Sequence, residues 1–188
     1  YTKGVSSVLD YSVEGKEEEA QFDAALNMTL KTIEFAKERE AIPFAVFKPT
    51  GFGRLALYEK VGDKAHLTEN EQKEWNRVIE RFDIACKTAF EKDVLLLIDA
   101  EESWMQDAAD AIVTDMMRKY NKQKAIVFNT LQMYRWDRLD YLKNLHEQAK
   151  SEGFYIGMKL VRGAYMEKEN DRATERGLKS PICVSKEA

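Results

Sequence analysis

Several polar side chains stand directly after short apolar runs: Asp10, Lys48, Asp99, Glu101, Asn129, Lys159 and Arg162. Met158-Lys159-Leu160-Val161-Arg162-Gly163-Ala164-Tyr165 sets two cations around a strand end, followed by two small residues. Small residues let backbone approach a ligand closely. Two buried cations need anionic partners. A phosphate, a carboxylate or a reduced flavin would serve, and so would Asp99 from inside. Each candidate also has a plainer reading. Lys48 can be a solvated strand end, Asp99 a cap or ion pair, Glu101-Glu102 a charged turn, and Asn129 the holder of a turn. The residue types leave both readings open.

Other chemistries find little support. His66 falls in an irregular stretch and His146 in mid-helix near Lys143 and Glu147, so both read as surface residues and no metal site is expected. Gly51-Phe52-Gly53-Arg54 lacks the spacing and the Gly-Lys-Ser/Thr end of a phosphate-binding P-loop. No serine or cysteine nucleophile motif occurs. Cys86 and Cys183 form no CxxC pair and no disulfide framework, which points to a reducing compartment.

The elements that must position these residues repeat one unit, an apolar run followed by an amphipathic stretch. The runs are Val5–Tyr11, Phe44–Lys48, Val94–Ile98, Ala125–Phe128 and Phe154–Val161. Phe22, Ala25, Leu26, Leu30 and Ile33 fall at helical spacing within 19–39. Thr68 with Glu71, and Ser103 with Gln106, read as capping boxes opening two more helices. A fourth helix over about 136–151 closes at Gly153, and the charged stretch from Glu167 reads as a fifth. Residues 49–67 read as an excursion after the second strand. Alternating strands and helices imply parallel strands with right-handed crossovers. The first turn carries no GxGxxG, so a closed barrel is favoured over a dinucleotide-binding open sheet. A barrel of eight strands takes roughly 250 residues. Five strands are counted here, so the expectation is one barrel domain over 1–188, incomplete at its C-terminus and completed by further strands or another chain.

The chain has 188 residues and a formal charge of −4, with charges of both signs mixed along it, which argues for a folded domain and against nucleic acid as its main partner. No apolar run approaches the ~18 residues that a membrane-spanning helix needs. Tyr1–Gly4 resembles neither a signal peptide nor a start, so the chain is expected to begin and end inside a larger protein.

In order, Phe47-Lys48, Ile98-Asp99-Ala100-Glu101-Glu102, Val127-Phe128-Asn129-Thr130-Leu131-Gln132 and Lys159-Leu160-Val161-Arg162-Gly163-Ala164-Tyr165 resemble the motifs of proline dehydrogenase. The likeness is to the monofunctional, mitochondrial-type enzymes more than to the corresponding domain of bifunctional bacterial enzymes. It runs from about Gly4 to Ala188. It implies a distorted (βα)8 TIM-like barrel, of which these residues supply about the first five βα units, holding FAD non-covalently. It also implies oxidation of L-proline to 1-pyrroline-5-carboxylate in proline catabolism, with hydride passing from proline C5 to flavin N5 and electrons passing on to a quinone. Peripheral membrane contact would follow, at the mitochondrial inner membrane or matrix in a eukaryote and at the cytoplasmic side of the inner membrane in a bacterium.

Position by position, the resemblance implies that Lys48 helps bind the proline carboxylate and that Asp99 orders neighbouring groups. Asn129 would bond the flavin's pyrimidine edge. Lys159, where bifunctional enzymes carry arginine, would stand near flavin N5, and Arg162 where they carry lysine. A lysine lacks the guanidinium fork but still supplies positive charge, so flavin binding is expected with a shifted redox potential. Leu160, Gly163, Ala164 and Tyr165 match pocket-lining residues. The expected catalytic set is thus Lys48, Asp99, Lys159 and Tyr165. The expected cofactor-binding set is Asn129, Lys159, Val161, Arg162, Gly163 and Ala164. The family's paired arginines on its last helix and its strand-six Thr-His-Asn motif are absent from these 188 residues; were nothing to follow Ala188, neither tight FAD binding nor catalysis would be expected. Two other readings stand beside this one: a flavin barrel oxidising folates or hydroxy acids, and a non-catalytic barrel fragment that pairs its strand edges with another chain.

Overall fold

The computed structural model describes residues 3–11 and 15–185; the termini at Tyr1 and Ala188 lie outside them. Five strands form one parallel sheet in chain order: β1 (Val8–Asp10), β2 (Phe44–Phe47), β3 (Leu95–Ile98), β4 (Val127–Gln132) and β5 (Met158–Val161). Between and after them lie helices α1 (Glu19–Ala36), α2 (Leu55–Gly62), α3 (Glu69–Lys92), α4 (Ser103–Tyr120), α5 (Arg138–Glu152) and α6 (Met166–Arg176). Sequential parallel strands joined by helices on one side are consecutive units of a (βα)8 barrel. Among the described residues, β1 and β5 are the edges of the sheet.

The helical spacing read in α1 is the face that packs inward: Phe22, Ala25, Leu26, Ile33 and Ala36 are buried. The helix ends at Ala36 rather than Arg39. Leu96, Leu97 and Ile98 are buried whether they face the helices or the barrel interior, which is why β3 shows no polar alternation. Thr68 caps α3 as expected, its hydroxyl accepting the Glu71 N–H while the Glu71 carboxylate accepts the Thr68 N–H. Gly153 ends α5 with a left-handed φ of 68°. Gly157 precedes β5 because the Phe128 ring fills the place of a side chain: a Cβ there would stand 2.7 Å from that ring. Phe128 in turn meets Phe44 edge-on, with ring centroids 5.5 Å apart.

The excursion after β2 holds a 3-10 turn, Pro49–Gly51, and α2, which buries Leu57 and Tyr58. Its apolar residues are too few to show a period. One expectation needs correction. Ser103 does not cap α4, since Glu102 holds the N-cap position. The Ser103 N–H and hydroxyl both donate to the Glu169 carboxylate on α6, each at 2.6 Å. Lys168 pairs with Glu102, and Arg172 meets Glu59 of α2 at 2.8 Å, so α6 lies against the middle of α2 and the start of α4.

Candidate functional site

Strand alternation decides which side chains can meet. Parallel pairing sets Phe47 beside Ile98 and Thr130 beside Lys159. Carried one residue past β2 and β3, it brings Lys48, Asp99, Thr130 and Lys159 into one row at the carboxyl ends of the strands. The Asp99 N–H donates to the Phe47 carbonyl at 3.0 Å and the Thr130 hydroxyl to the Ile98 carbonyl at 2.9 Å, which pins this register. Residues of the row and of the turns above it line a cavity of about 250 Å³: Lys48, Asp99, Ala100, Thr130, Gln132, Tyr134, Lys159, Val161, Ala164 and Tyr165.

Asp99 is the centre of charge. One carboxylate oxygen lies 3.6 Å from Lys48 Nζ, and the other pairs with Lys159 Nζ. The side chains of Lys48, Asp99 and Lys159 are 15%, 17% and 32% exposed, so two ammonium groups held by one carboxylate stand at a partly open mouth. Above the row, Glu101 receives the Thr50 hydroxyl at 2.6 Å and the Thr50 N–H at 3.2 Å. Burial pushes the Glu101 carboxyl up to about 7, against the lowering pull of those Thr50 bonds. Gln132 donates from Nε2 to the Glu101 carbonyl at 2.7 Å and to the Tyr134 hydroxyl at 2.9 Å.

The structure brings Lys48, Asp99, Lys159, Val161, Ala164 and Tyr165 together, as the sequence led one to expect. Asn129 is a correction. It faces the helices, donating to Asp110 at 2.8 Å, while its oxygen accepts the Thr130 N–H. Thr130 and Gln132, on the opposite parity of β4, face the cavity. The run Ile126–Gln132 is buried almost throughout, so its composition hides which parity faces inward. Arg162 and Gly163 are exposed beyond β5 and do not line the cavity, and Leu160, 64% exposed, points away from it. Asp10 ends β1 beside Val46, exposed and outside the cavity lining. Sequence reading missed Thr130, Gln132 and Tyr134. The signal was their two-residue step in phase with the inward Lys159 and Val161.

His66 and His146 are exposed, Cys86 is buried, and no cluster of three metal-ligating side chains occurs among the described residues. The Lys159 ammonium and the apolar surfaces of Val161 and Ala164 fit one side of a flavin ring.

Parallel (βα)8-barrel units with a cationic, carboxylate-anchored mouth define the class of this protein. Residues 1–188 match the family model described as proline dehydrogenase, and the chain belongs to that family. It is 39% identical over 88% of its length to the carbapenem antibiotics biosynthesis protein CarD of Pectobacterium carotovorum, covering 44% of that protein. It is 42% and 40% identical, over 66% of its length, to the mitochondrial proline dehydrogenase 1 of Drosophila melanogaster and of Homo sapiens, covering 18% and 21% of them. The chain thus spans under half the length of these relatives. The crystal structure of proline utilization A from Bdellovibrio bacteriovorus shares the fold, with a TM-score of 0.78 at 18% identity, covering 98% of this chain and 20% of that one.

Proposed function

We propose that the protein carrying this chain oxidises L-proline to 1-pyrroline-5-carboxylate with FAD, and that the five units described here form one catalytic barrel domain with strands pairing along the edges of β1 and β5. The observation that carries this reading is the row Lys48–Asp99–Thr130–Lys159 at the carboxyl ends of the strands, in a chain of the proline dehydrogenase family.

Bound FAD would supply the hydride acceptor, taking hydride from proline C5. The chain's own residues do the binding and positioning. Lys48 meets the proline carboxylate. Asp99 holds the Lys48 and Lys159 ammonium groups at fixed places, which removes the cost of ordering them when the guest arrives. Lys159 provides fixed positive charge where negative charge grows on the ring. Val161, Ala164 and Tyr165 would flank the bound ring. Electrons would pass to a quinone, at the mitochondrial inner membrane in a eukaryote and at the inner membrane's cytoplasmic side in a bacterium; the fly and human relatives are named as mitochondrial. No helix of the described residues is long and apolar enough to cross a membrane.

The test is direct. The purified protein should be yellow and should reduce a dye with L-proline, and tetrahydro-2-furoic acid should compete. A colourless preparation inert to proline with FAD added back would sink the reading.

A further inference from the structure

We propose that Glu169 is a positioning residue: its carboxylate ties the first turn of α6 to the first turn of α4 and so sets where the Tyr165 ring stands in the cavity; this rests on the function proposed above. Glu169 lies on α6, yet it is only 2% exposed. Its carboxylate accepts both the Ser103 N–H and the Ser103 hydroxyl, each at 2.6 Å. Ser103 is the first residue of α4, where backbone N–H groups lack partners within the helix. An anionic acceptor placed there gains from charge-assisted bonds and from the helix dipole.

The same residue grips Tyr165. The Glu169 N–H donates to the Tyr165 carbonyl at 2.9 Å and closes the first turn of α6. Tyr165 is the N-cap residue of that helix and lines the cavity with Lys48, Asp99 and Lys159. The α4 end of the link is anchored as well. Between Asp99 and Ser103, the Glu101 N–H donates to the Gln106 side chain at 2.9 Å, and the Glu101 carbonyl accepts from Gln132 at 2.7 Å. β3 and β5 are not neighbours in the sheet, because β4 lies between them. Strand pairing therefore fixes the spacing of their ends only through β4, and the Glu169 carboxylate fixes it a second time, at the level of the turns.

Other contacts hold α6 when this one is lost. Lys168 pairs with Glu102, Arg172 meets Glu59 at 2.8 Å, and the Arg172 guanidinium lies 4.5 Å from the centre of the Trp104 ring. The helix then stays docked while its first turn relaxes and the Tyr165 ring drifts. A small displacement of a group that flanks the guest costs rate, because the guest leaves its reacting geometry.

The experiment uses the protein carrying this chain, with wild-type oxidation of L-proline measured first and flavin reduction followed by stopped flow. Glu169→Ala should slow reduction about tenfold. In Glu169→Gln the amide oxygen accepts the Ser103 N–H and the amide NH2 donates to the Ser103 hydroxyl oxygen, so the rate should return to within about threefold of wild type. The deciding measurement is a double-mutant cycle: in a Tyr165→Ala background, Glu169→Ala should slow reduction no further. A loss that repeats in that background, no loss at all, or no rescue by glutamine overturns the assignment and leaves the proposed function standing. A wild type inert to L-proline overturns both. Should Glu169→Ala fold poorly, Ser103→Ala removes the hydroxyl donor alone. A loss of about threefold is then expected, vanishing when Tyr165 is replaced by alanine. An equal loss in both backgrounds, or none in either, overturns the assignment.

Discussion

Charged groups are buried on both faces of β4, on different terms. On the helix side, Asp110 and Arg138 are each 5% exposed, with Arg138 NH1 2.7 Å from Asp110. Gln106 and Asn129 add donors to Asp110 at 2.7 and 2.8 Å, and Asp137 takes the other arm of Arg138. Burial pushes Asp110 upward while Arg138 pulls it down. Each of these groups has its partner among the helices. On the barrel side, one carboxylate serves two ammonium groups beside an open cavity. Two ionic clusters a strand apart thus differ in what they join. The first fastens α4 to α5, while the second lines the cavity at the strand ends.

That difference can be broken at either end. The largest expected effect is on the helix side. Asp110→Ala leaves the buried Arg138 with Asp137 only and takes the acceptor from Gln106 and Asn129, and should cost about 3 kcal/mol of stability, with kcat/KM of the folded protein unchanged; a loss of activity without a fall in melting temperature would erase the distinction. Asp99→Asn should do the reverse. Proline turnover is expected to drop by roughly two orders of magnitude, as when a preorganised electrostatic group is lost, with a small change in melting temperature; stopped-flow reduction by L-proline reads the first and thermal unfolding the second.

A third test lies at the rim. The Glu101 carboxyl is raised from 4.5 to about 7, so the folded state binds its proton more tightly than the unfolded chain does. Its contribution is present below the unfolded value near 4.5 and is lost as pH rises through about 7. Urea unfolding should therefore show stability declining across that window by about 2–3 kcal/mol at most, and Glu101→Gln should flatten the slope. An identical slope in the variant would mean that another group carries it. The smallest effect is expected at Asn129→Ala, about 1–2 kcal/mol for one bond lost to a buried carboxylate. A tenfold loss of flavin affinity with an unchanged melting temperature would instead return Asn129 to the cavity.

The alternation of strand and helix, the Thr68 cap, the Gly153 stop and the strand-end positions of Lys48, Asp99 and Lys159 are all legible from residue order alone. These follow from local rules: backbone groups at helix ends need partners, and a charged residue after an apolar run marks where a buried strand surfaces. Which parity of β4 faces inward is settled by packing, because both faces of that strand are dry and composition cannot tell them apart. Pairing with β5 settles it, setting Thr130 beside Lys159 and Asn129 beside Met158. The same holds for Ser103, whose local pattern spells a cap but whose hydroxyl is drawn to Glu169, 66 residues away, by a contact that no local spacing encodes.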